Sequence, residues 1–352
     1  MNPLEHKIVN HIHLHGALRF DNYMRLCALH PRHGYYNRPD PVGSPASFTT
    51  SPEISQMFGE LIGVCFARHW VLTGKPRRCN LLELGPGRGT LMSDLLRAAS
   101  QVSELVSSSR VVLCERSRTL QEQQHERLKS YRPRWTRNLE GVGERTTFAI
   151  ANEFFDALAV RQFRRTRRCW QELHVAVNHS RLVPVFLPLQ GRPPGYGFER
   201  VKPGSIVEWR PEAVTYMQQL SGLVNRNGGL ALIVDYGEAR GSGDTIQAIA
   251  GNEFAEPFET PGRADISAHV DFGALAVAAG DRVAVATSRQ GTFLKRLGIE
   301  QRARILARGL SGDMLRSHVA ALHRLVDTDA MGSLFKVMAL YRKGAPLPPG
   351  FA

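Results

Sequence analysis

The sequence lacks an uninterrupted apolar stretch long enough for a transmembrane helix, so no membrane-spanning segment is predicted. The N-terminus also lacks the basic and then apolar pattern of a secretory signal and the Arg- and Ser-rich pattern of an organelle import leader. These absences favour a cytoplasmic protein. The chain has 352 residues, of which 43% are apolar and 22% charged, as is typical of a globular protein with one large domain or two.

Cysteine is scarce, and none of the five cysteines forms a C-x-x-C pair. An odd, unpatterned set argues against a disulfide framework and against a zinc site. We therefore predict no metal, and we expect the cysteines to be small buried side chains. They are Cys27, Cys65, Cys79, Cys114 and Cys169.

Acidic residues are outnumbered by basic residues, 32 against 45, which gives a formal charge of +13. Such an excess of positive charge could favour binding to nucleic acid, to anionic lipid or to an acidic protein. The arginines cluster at 132–137 and 161–168 with little aromatic interleaving and no nucleic-acid-binding signature. The composition therefore favours a solvated basic face or an acidic docking partner over nucleic acid.

Residues 81–91 carry the most informative motif, an apolar strand that turns through a glycine loop into a helix. Such a loop exposes main-chain N–H groups to a ligand, and glycine permits the left-handed turns. The spacing fits neither a dinucleotide fingerprint nor a P-loop. A carboxylate beside the loop would repel phosphate but suits the ammonium group of S-adenosylmethionine. The predicted cofactor-binding residues here are Glu83, Gly85, Pro86, Gly87 and Gly89.

The remaining pattern predicts an α/β fold with a mostly parallel sheet, because buried apolar runs alternate with helical segments. Strands are predicted at 79–84, 110–115, 146–152 and 229–235, with a short one near 137–142. A helix is predicted at 211–226, and an edge or antiparallel strand at 335–341.

Two insertions interrupt this core. The predicted domain bounds are 1–75 for an N-terminal helical region and lid; 76–157, 208–237 and 331–343 for the core; 158–207 for a β-rich insertion; and 238–330 for a mixed helical and loop insertion. Within the first region, two amphipathic helices lie in 3–30, a loop follows over 31–48, and one helix runs from Ser51 to about Trp70.

Parallel α/β sheets bind ligands beyond the carboxyl ends of their strands, so each strand end is a candidate site. Glu115 ends the second strand, where a carboxylate can accept hydrogen bonds from ribose hydroxyls. The alternative for Glu115 is a surface salt bridge with Arg116 or Arg118.

Two further carboxylates, Glu153 and Asp156, follow the strand at 146–152. A nucleic-acid amino-methyltransferase usually has an Asn/Asp-Pro-Pro-aromatic segment here, and this chain does not. A carboxylate at this point suits a guanidinium acceptor, which it can hold by paired hydrogen bonds. The alternative for both residues is structural, and Glu153 could simply stabilise a helix start.

Three more residues are ambiguous. Asp235 could cap the end of its strand, and Tyr236 could form a wall of the acceptor pocket. His269 could be a base or an acceptor contact, although a lone histidine among apolar neighbours is more often structural.

Seven segments together resemble the MidA-like family, which includes the mitochondrial complex I assembly methyltransferase and bacterial relatives. They run in order over nearly the whole chain, and the first and third are the most specific. The segments are FTTSPEISQMFGE (48–60), ELGPGRGT (83–90), ANEFFDAL (151–158), VDYG (234–237), ADISAHVDF (264–272), QGTFL (290–294) and MGSLFKV (331–337).

The resemblance implies a class I S-adenosylmethionine-dependent methyltransferase fold with a seven-stranded sheet, and a bacterial rather than an imported member. Ser51 and Asn152 are predicted as further cofactor-binding residues, and Glu153, Asp156, Tyr236 and His269 as the catalytic set. In the mitochondrial member the resemblance implies symmetric dimethylation of an arginine on a core subunit of NADH:ubiquinone oxidoreductase (complex I). Two alternatives stay open: a small-molecule methyltransferase and a non-catalytic assembly factor that binds the cofactor. A homo-oligomer also stays open.

Overall fold

The computed structural model describes residues 2–38, 50–195, 198, 201–241, 243–251 and 253–351. Most of the predicted loop at 31–48, from Pro39 onward, lies outside the described residues, as do Phe48 and Thr49 of the first family segment. None of the helices in the described ranges has the length and apolar character needed to span a membrane.

Helices occur along the whole chain. The N-terminal pair confirms the two predicted amphipathic helices in 3–30. The helices are α1 (Pro3–His15), α2 (Phe20–Leu29), α3 (Ser51–Ile54), α4 (Gln56–Leu72), α5 (Thr90–Val102), α6 (Arg118–Leu128), α7 (Pro211–Asn227), α8 (Phe272–Ala279), α9 (Gln290–Leu297), α10 (Ile299–Leu306), α11 (Gly312–Val326) and α12 (Met331–Leu334).

The strands match most predicted bounds within one to three residues. They are β1 (Leu18–Arg19), β2 (Cys79–Leu84), β3 (Ser109–Cys114), β4 (Arg134–Thr136), β5 (Thr146–Asn152), β6 (Arg161–Arg165), β7 (Trp170–Asn178), β8 (Arg181–Leu189), β9 (Ile206–Trp209), β10 (Gly229–Glu238), β11 (Gln247–Ala250), β12 (Glu253–Ala255), β13 (Asp265–Ser267), β14 (Val270–Asp271), β15 (Val283–Arg289) and β16 (Phe335–Arg342).

The chain divides into two compact units. The first unit comprises Met1–Phe48, Asp156–Thr215 and Glu238–Leu275, and the second comprises Thr49–Phe155, Tyr216–Gly237 and Ala276–Ala352. This division differs from the predicted bound at residue 75, because α4 packs on α5 and so belongs to the second unit.

The second unit contains the predicted sheet, with seven strands in the order β15-β16-β10-β5-β2-β3-β4. Strands β10, β5, β2, β3 and β4 run parallel, while β16 is antiparallel to its neighbours β10 and β15. Leu84 at the end of β2 pairs with Cys114 and Ala151. The carboxyl ends of β2, β3 and β5 therefore lie level at one edge, which brings their terminal polar residues together.

The first unit is a separate β-rich body with its own apolar core. Strand β6 pairs with β7 and β9, and β7 also pairs with β1 and β8, all antiparallel. Apolar side chains of α1 and α2 pack into this core. Asn2 caps α1, since its side chain accepts from the Leu4 and Glu5 amides.

Two local predictions are wrong. The region near 137–142 is not a strand: β4 ends at Thr136, whose hydroxyl bonds to Asn138 in a turn, and a short 3₁₀-helix follows at Glu140–Val142. The helix predicted from Ser51 is also interrupted. Ser55 is extended (φ −160°, ψ 137°), and its side chain accepts from the Met57 amide to cap α4.

Helices α4 and α5 pack closely because glycines line their contact. A Cβ added to Gly59 would lie 2.8 Å from the Asp94 Cβ, and one added to Gly63 would lie 2.5 Å from the Leu95 carbonyl oxygen. Neither glycine has a positive φ, so the constraint is space rather than backbone conformation.

We predict that Gly63→Ala destabilises the protein by about 1–3 kcal/mol, because the methyl group overlaps a main-chain oxygen. Alanine is intrinsically the better helix former by about 1 kcal/mol, so an open site would give the opposite sign. Urea unfolding measures the change, with Arg68→Ala on the exposed face of α4 as the control. A stabilised Gly63→Ala would contradict the packing described.

Candidate functional site

The glycine loop is a left-handed turn between β2 and α5. Gly85, Gly87 and Gly89 have φ values of +63°, +52° and +77°, a region that side chains disfavour. The Gly89 amide donates to the Pro86 carbonyl at 2.7 Å. A Cβ on Gly85 would also lie 2.8 Å from the Phe154 ring. The alternate glycines of the sequence are thus required by backbone geometry.

Glu83 is a buried carboxylate beside this loop, only 3% exposed. Its Oε2 has no hydrogen-bond partner among the described residues. Burial raises the pKa of Glu83 to about 8, and the nearby charge of Glu115 adds to the effect. Burial disfavours the ionised form of Glu83. An ammonium ligand would supply a cation beside it and would pair with the carboxylate.

Glu115 also lies at the end of its strand and is 8% exposed. Its Oε1 accepts from the main-chain amides of Arg116 and Ser117, both at 2.8 Å, and its Oε2 accepts from Gln124 Nε2 at 3.3 Å. Burial raises the pKa of Glu115, while these donors oppose the rise. The carboxylate is therefore fixed in one orientation.

Glu153 follows β5 in a left-handed conformation (φ +49°), which is uncommon for a residue with a side chain. Its amide donates to the Val234 carbonyl at 2.9 Å. Its Oε1 accepts from the Ser51 amide at 2.9 Å and from Asn152 Nδ2 at 3.0 Å. These contacts hold the strained residue and its carboxylate in place.

Two buried polar atoms beside Glu153 are unsatisfied in the described part of the chain. They are Ser51 Oγ, in a residue that is fully buried, and Asn152 Oδ1, in a residue that is 8% exposed. Since such atoms usually find partners, a polar ligand at this point would complete the site. Ser51, Asn152 and Glu153 are thus brought together as a group.

Helix α3 links this group to the glycine loop. While Ser51 donates to Glu153, Glu53 Oε1 accepts from the Thr90 hydroxyl at 2.6 Å. Thr90 also accepts from Arg127. The sequence analysis missed Glu53 and Thr90 as site residues, because a carboxylate in the first turn of a helix is ordinary.

Asp235 serves the backbone, in agreement with its predicted capping role. The residue is fully buried, and its two carboxylate oxygens accept from the Phe155 and Tyr236 amides, both at 3.0 Å. The Tyr236 side chain is buried, with its ring centroid 5.6 Å from that of Phe335. Asp235 therefore fixes the turn after β5, which carries Glu153.

Asp156 and His269 belong to the first unit and are described there. The Asp156 carbonyl accepts from the Ala268 amide at 3.2 Å. The main chain of His269 is held at both ends, by Thr245 and by Arg210.

A second carboxylate accompanies Asp156. Burial and the charge of Asp156 raise the pKa of Asp265 to about 7, and the Tyr36 hydroxyl donates to Asp265 at 2.8 Å. Tyr36 and Asp265 were not singled out as site residues, because their pairing spans 229 residues of sequence.

The comparisons with known proteins decide the class. Residues 61–289 match the model of a family described as putative S-adenosyl-L-methionine-dependent methyltransferases. The chain belongs to this methyltransferase family. The resemblance drawn from the sequence motifs is confirmed, and the protein is an enzyme of this class with S-adenosylmethionine as its cofactor.

Curated relatives extend over nearly the whole chain. The bovine protein arginine methyltransferase NDUFAF7, mitochondrial, is 33% identical over 97% of this chain and 83% of its own length. The human protein of that name is 32% identical over 97% and 83%. The Drosophila melanogaster homolog is 32% identical over 93% and 82%.

Solved structures agree with the fold. A Burkholderia thailandensis protein bound to S-adenosyl-homocysteine is 25% identical, with a TM-score of 0.78 over 99% of this chain and 93% of the other. A second B. thailandensis structure gives a TM-score of 0.80 at 24% identity, over 99% and 93%. The predicted class I methyltransferase fold is confirmed.

The cofactor fits the residues present. Three buried oxygens lack partners among the residues described, so a ligand could satisfy them: Glu83 Oε2, Ser51 Oγ and Asn152 Oδ1. Glu83 would hold an ammonium group and Glu115 a ribose. No group of three metal-binding side chains occurs in the described ranges.

We predict that the affinity for S-adenosyl-homocysteine rises with pH until the pH reaches the pKa of Glu83, which is about 8, and then levels off. Below that pH, Glu83 is protonated in the protein without ligand. Because pairing with an ammonium group requires Glu83 to lose this proton, the affinity should rise by up to about tenfold per pH unit. Isothermal titration calorimetry at several pH values measures it, and Glu83→Gln should show no such slope. A flat profile for the wild type would refute the pairing.

Gly87→Val should abolish binding of S-adenosylmethionine. A β-branched residue is strained at φ +52°, and its side chain would occupy the space of the ligand. Equilibrium binding of the labelled cofactor tests this, with circular dichroism to show that the variant is folded. Wild-type affinity in a folded variant would show that the role of the loop is misassigned.

Proposed function

We propose that this enzyme methylates arginine on a protein substrate, a core subunit of NADH:ubiquinone oxidoreductase, and thereby aids assembly of that complex in the bacterial cytoplasm. The curated relatives are named protein arginine methyltransferases, and these names support arginine as the methyl acceptor. The complex and the location come from the family resemblance. The observation that carries the proposal is the fixed carboxylate of Glu153.

Glu153 suits a guanidinium acceptor for physical reasons. Its Oε1 is held by two N–H donors, Ser51 and Asn152, so the carboxylate does not need to reorganise when a cation arrives. A carboxylate binds the planar guanidinium with directional, charge-assisted hydrogen bonds. Keeping the positive charge on the bound nitrogens leaves electron density on the nitrogen that attacks.

S-adenosylmethionine supplies an electrophilic methyl group on a sulfonium. In the proposed transfer the methyl–sulfur bond breaks as the nitrogen–methyl bond forms, and the new group loses one proton to solvent. Alignment of donor and acceptor provides most of the rate, so few residues need acid–base roles. Glu153 orients the acceptor, and Tyr236 of the same unit is proposed as a further acceptor-site residue. The catalytic roles predicted for Asp156 and His269, both in the first unit, stay predictions.

Labelling tests the acceptor directly. Purified enzyme and S-adenosylmethionine with a tritiated methyl group are added to a lysate of cells lacking the gene, and labelled proteins are resolved and hydrolysed. Label on arginine in one protein the size of a complex I subunit is expected. Label confined to small molecules would instead indicate a metabolite enzyme. No label, with the cofactor still bound, would indicate a non-catalytic assembly factor.

Glu153→Ala should lower methyl transfer at least about tenfold, a barrier increase of roughly 1.4 kcal/mol, while binding of S-adenosylmethionine survives. Glu153→Gln is the matched variant, because it keeps the side-chain length and removes the charge. We expect a similar loss for both. Unchanged transfer in either variant would remove Glu153 from its proposed role.

A further inference from the structure

One residue that no motif marks contacts both the glycine loop and Glu115. Gln124 lies on α6 and is fully buried. Its Nε2 donates to the Gly87 carbonyl at 2.7 Å and to Glu115 Oε2 at 3.3 Å. Its Oε1 accepts from Trp135 Nε1 at 2.8 Å. One side chain therefore connects the glycine loop, the end of β3 and β4.

The side-chain amide of Gln124 uses both of its N–H donors and its acceptor oxygen. A glutamine amide has two N–H donors and an acceptor oxygen, and each is engaged here. Trp135 fixes which end of the amide faces the cofactor site, because an indole N–H can only donate. The NH₂ group is thereby directed at both Gly87 and Glu115.

The consequence for Glu115 is geometric. Its Oε1 is held by the Arg116 and Ser117 amides, and its Oε2 by Gln124. A carboxylate anchored at both oxygens cannot rotate. Oε1 already accepts two hydrogen bonds, whereas Oε2 accepts one and keeps lone-pair capacity for another donor. A ribose hydroxyl is a donor of that kind.

We propose that Gln124 is the positioning residue of the adenosine site, holding the glycine loop and the Glu115 carboxylate at a fixed separation so that they bind the cofactor as one rigid surface. This rests on the proposed ribose role of Glu115. Gln124 acts through Gly87 and Glu115 rather than on the reacting atoms. Its loss should therefore weaken recognition of the ribose more than it weakens the ammonium contact at Glu83.

The test compares S-adenosyl-homocysteine with an analogue lacking both ribose hydroxyls. Hydrogen bonds to a charged group are worth enough that wild-type protein should prefer the natural ligand by at least about tenfold. In Gln124→Leu we expect this preference to fall to about threefold or less. Loss of stability alone would not change the ratio, because both ligands report on the same folded fraction.

Gln121→Leu is the matched control, since Gln121 donates to the main-chain carbonyl of Glu115, at 2.9 Å, and not to its carboxylate. Its preference should stay at the wild-type value. If Gln124→Leu does not fold, Trp135→Phe removes the N–H that orients Gln124, together with part of the ring, and should lower the preference in the same direction.

Full preference in folded Gln124→Leu, or in Trp135→Phe, would overturn the proposal. A wild-type protein that binds both ligands equally would overturn the ribose role of Glu115 and the proposal with it. A wild-type protein that binds neither would instead contradict the cofactor assignment, so the two failures are distinguishable.

Discussion

The burial of carboxylates at the ends of parallel strands is the constraint on which this structure depends. Parallel pairing places the carboxyl ends of β2, β3 and β5 at one edge, and Glu83, Glu115 and Asn152 lie there, each less than a tenth exposed. Polar groups this deeply buried cost free energy unless each finds a partner. The loops that follow the strands are arranged to supply those partners, or to leave them to a ligand.

The strand ends meet this cost in different ways. Asp235 is satisfied by two main-chain amides and therefore supports the backbone. Glu115 is held at both oxygens, and its Oε2 keeps capacity for one ribose hydroxyl. Glu83 and Asn152 each retain an oxygen with no partner within the described ranges. We propose that the oxygens without a partner face the ligand, whereas the satisfied Asp235 supports the backbone.

Local patterns predicted the features that depend on local sequence. The apolar runs predicted the bounds of β2 and β5 that the structure shows. The glycine spacing indicated the left-handed loop, because few other residues adopt that backbone conformation. Contacts between distant residues were not predictable. Gln124 lies in a polar helix that resembles a solvated one, and the Glu53–Thr90 bond joins two separate helix starts. Ser55 caps α4 four residues after the predicted helix start at Ser51, a break that the continuous apolar pattern did not indicate.

We propose that Glu83 pairs with the ammonium group of the cofactor. The most direct measurement is the affinity of wild type and Glu83→Gln for S-adenosyl-homocysteine and for its analogue lacking the α-amino group. The account predicts that wild type prefers the natural ligand by at least about tenfold and that Glu83→Gln largely loses this preference. An equal preference in both proteins would mean that the ammonium is recognised elsewhere and would contradict the account.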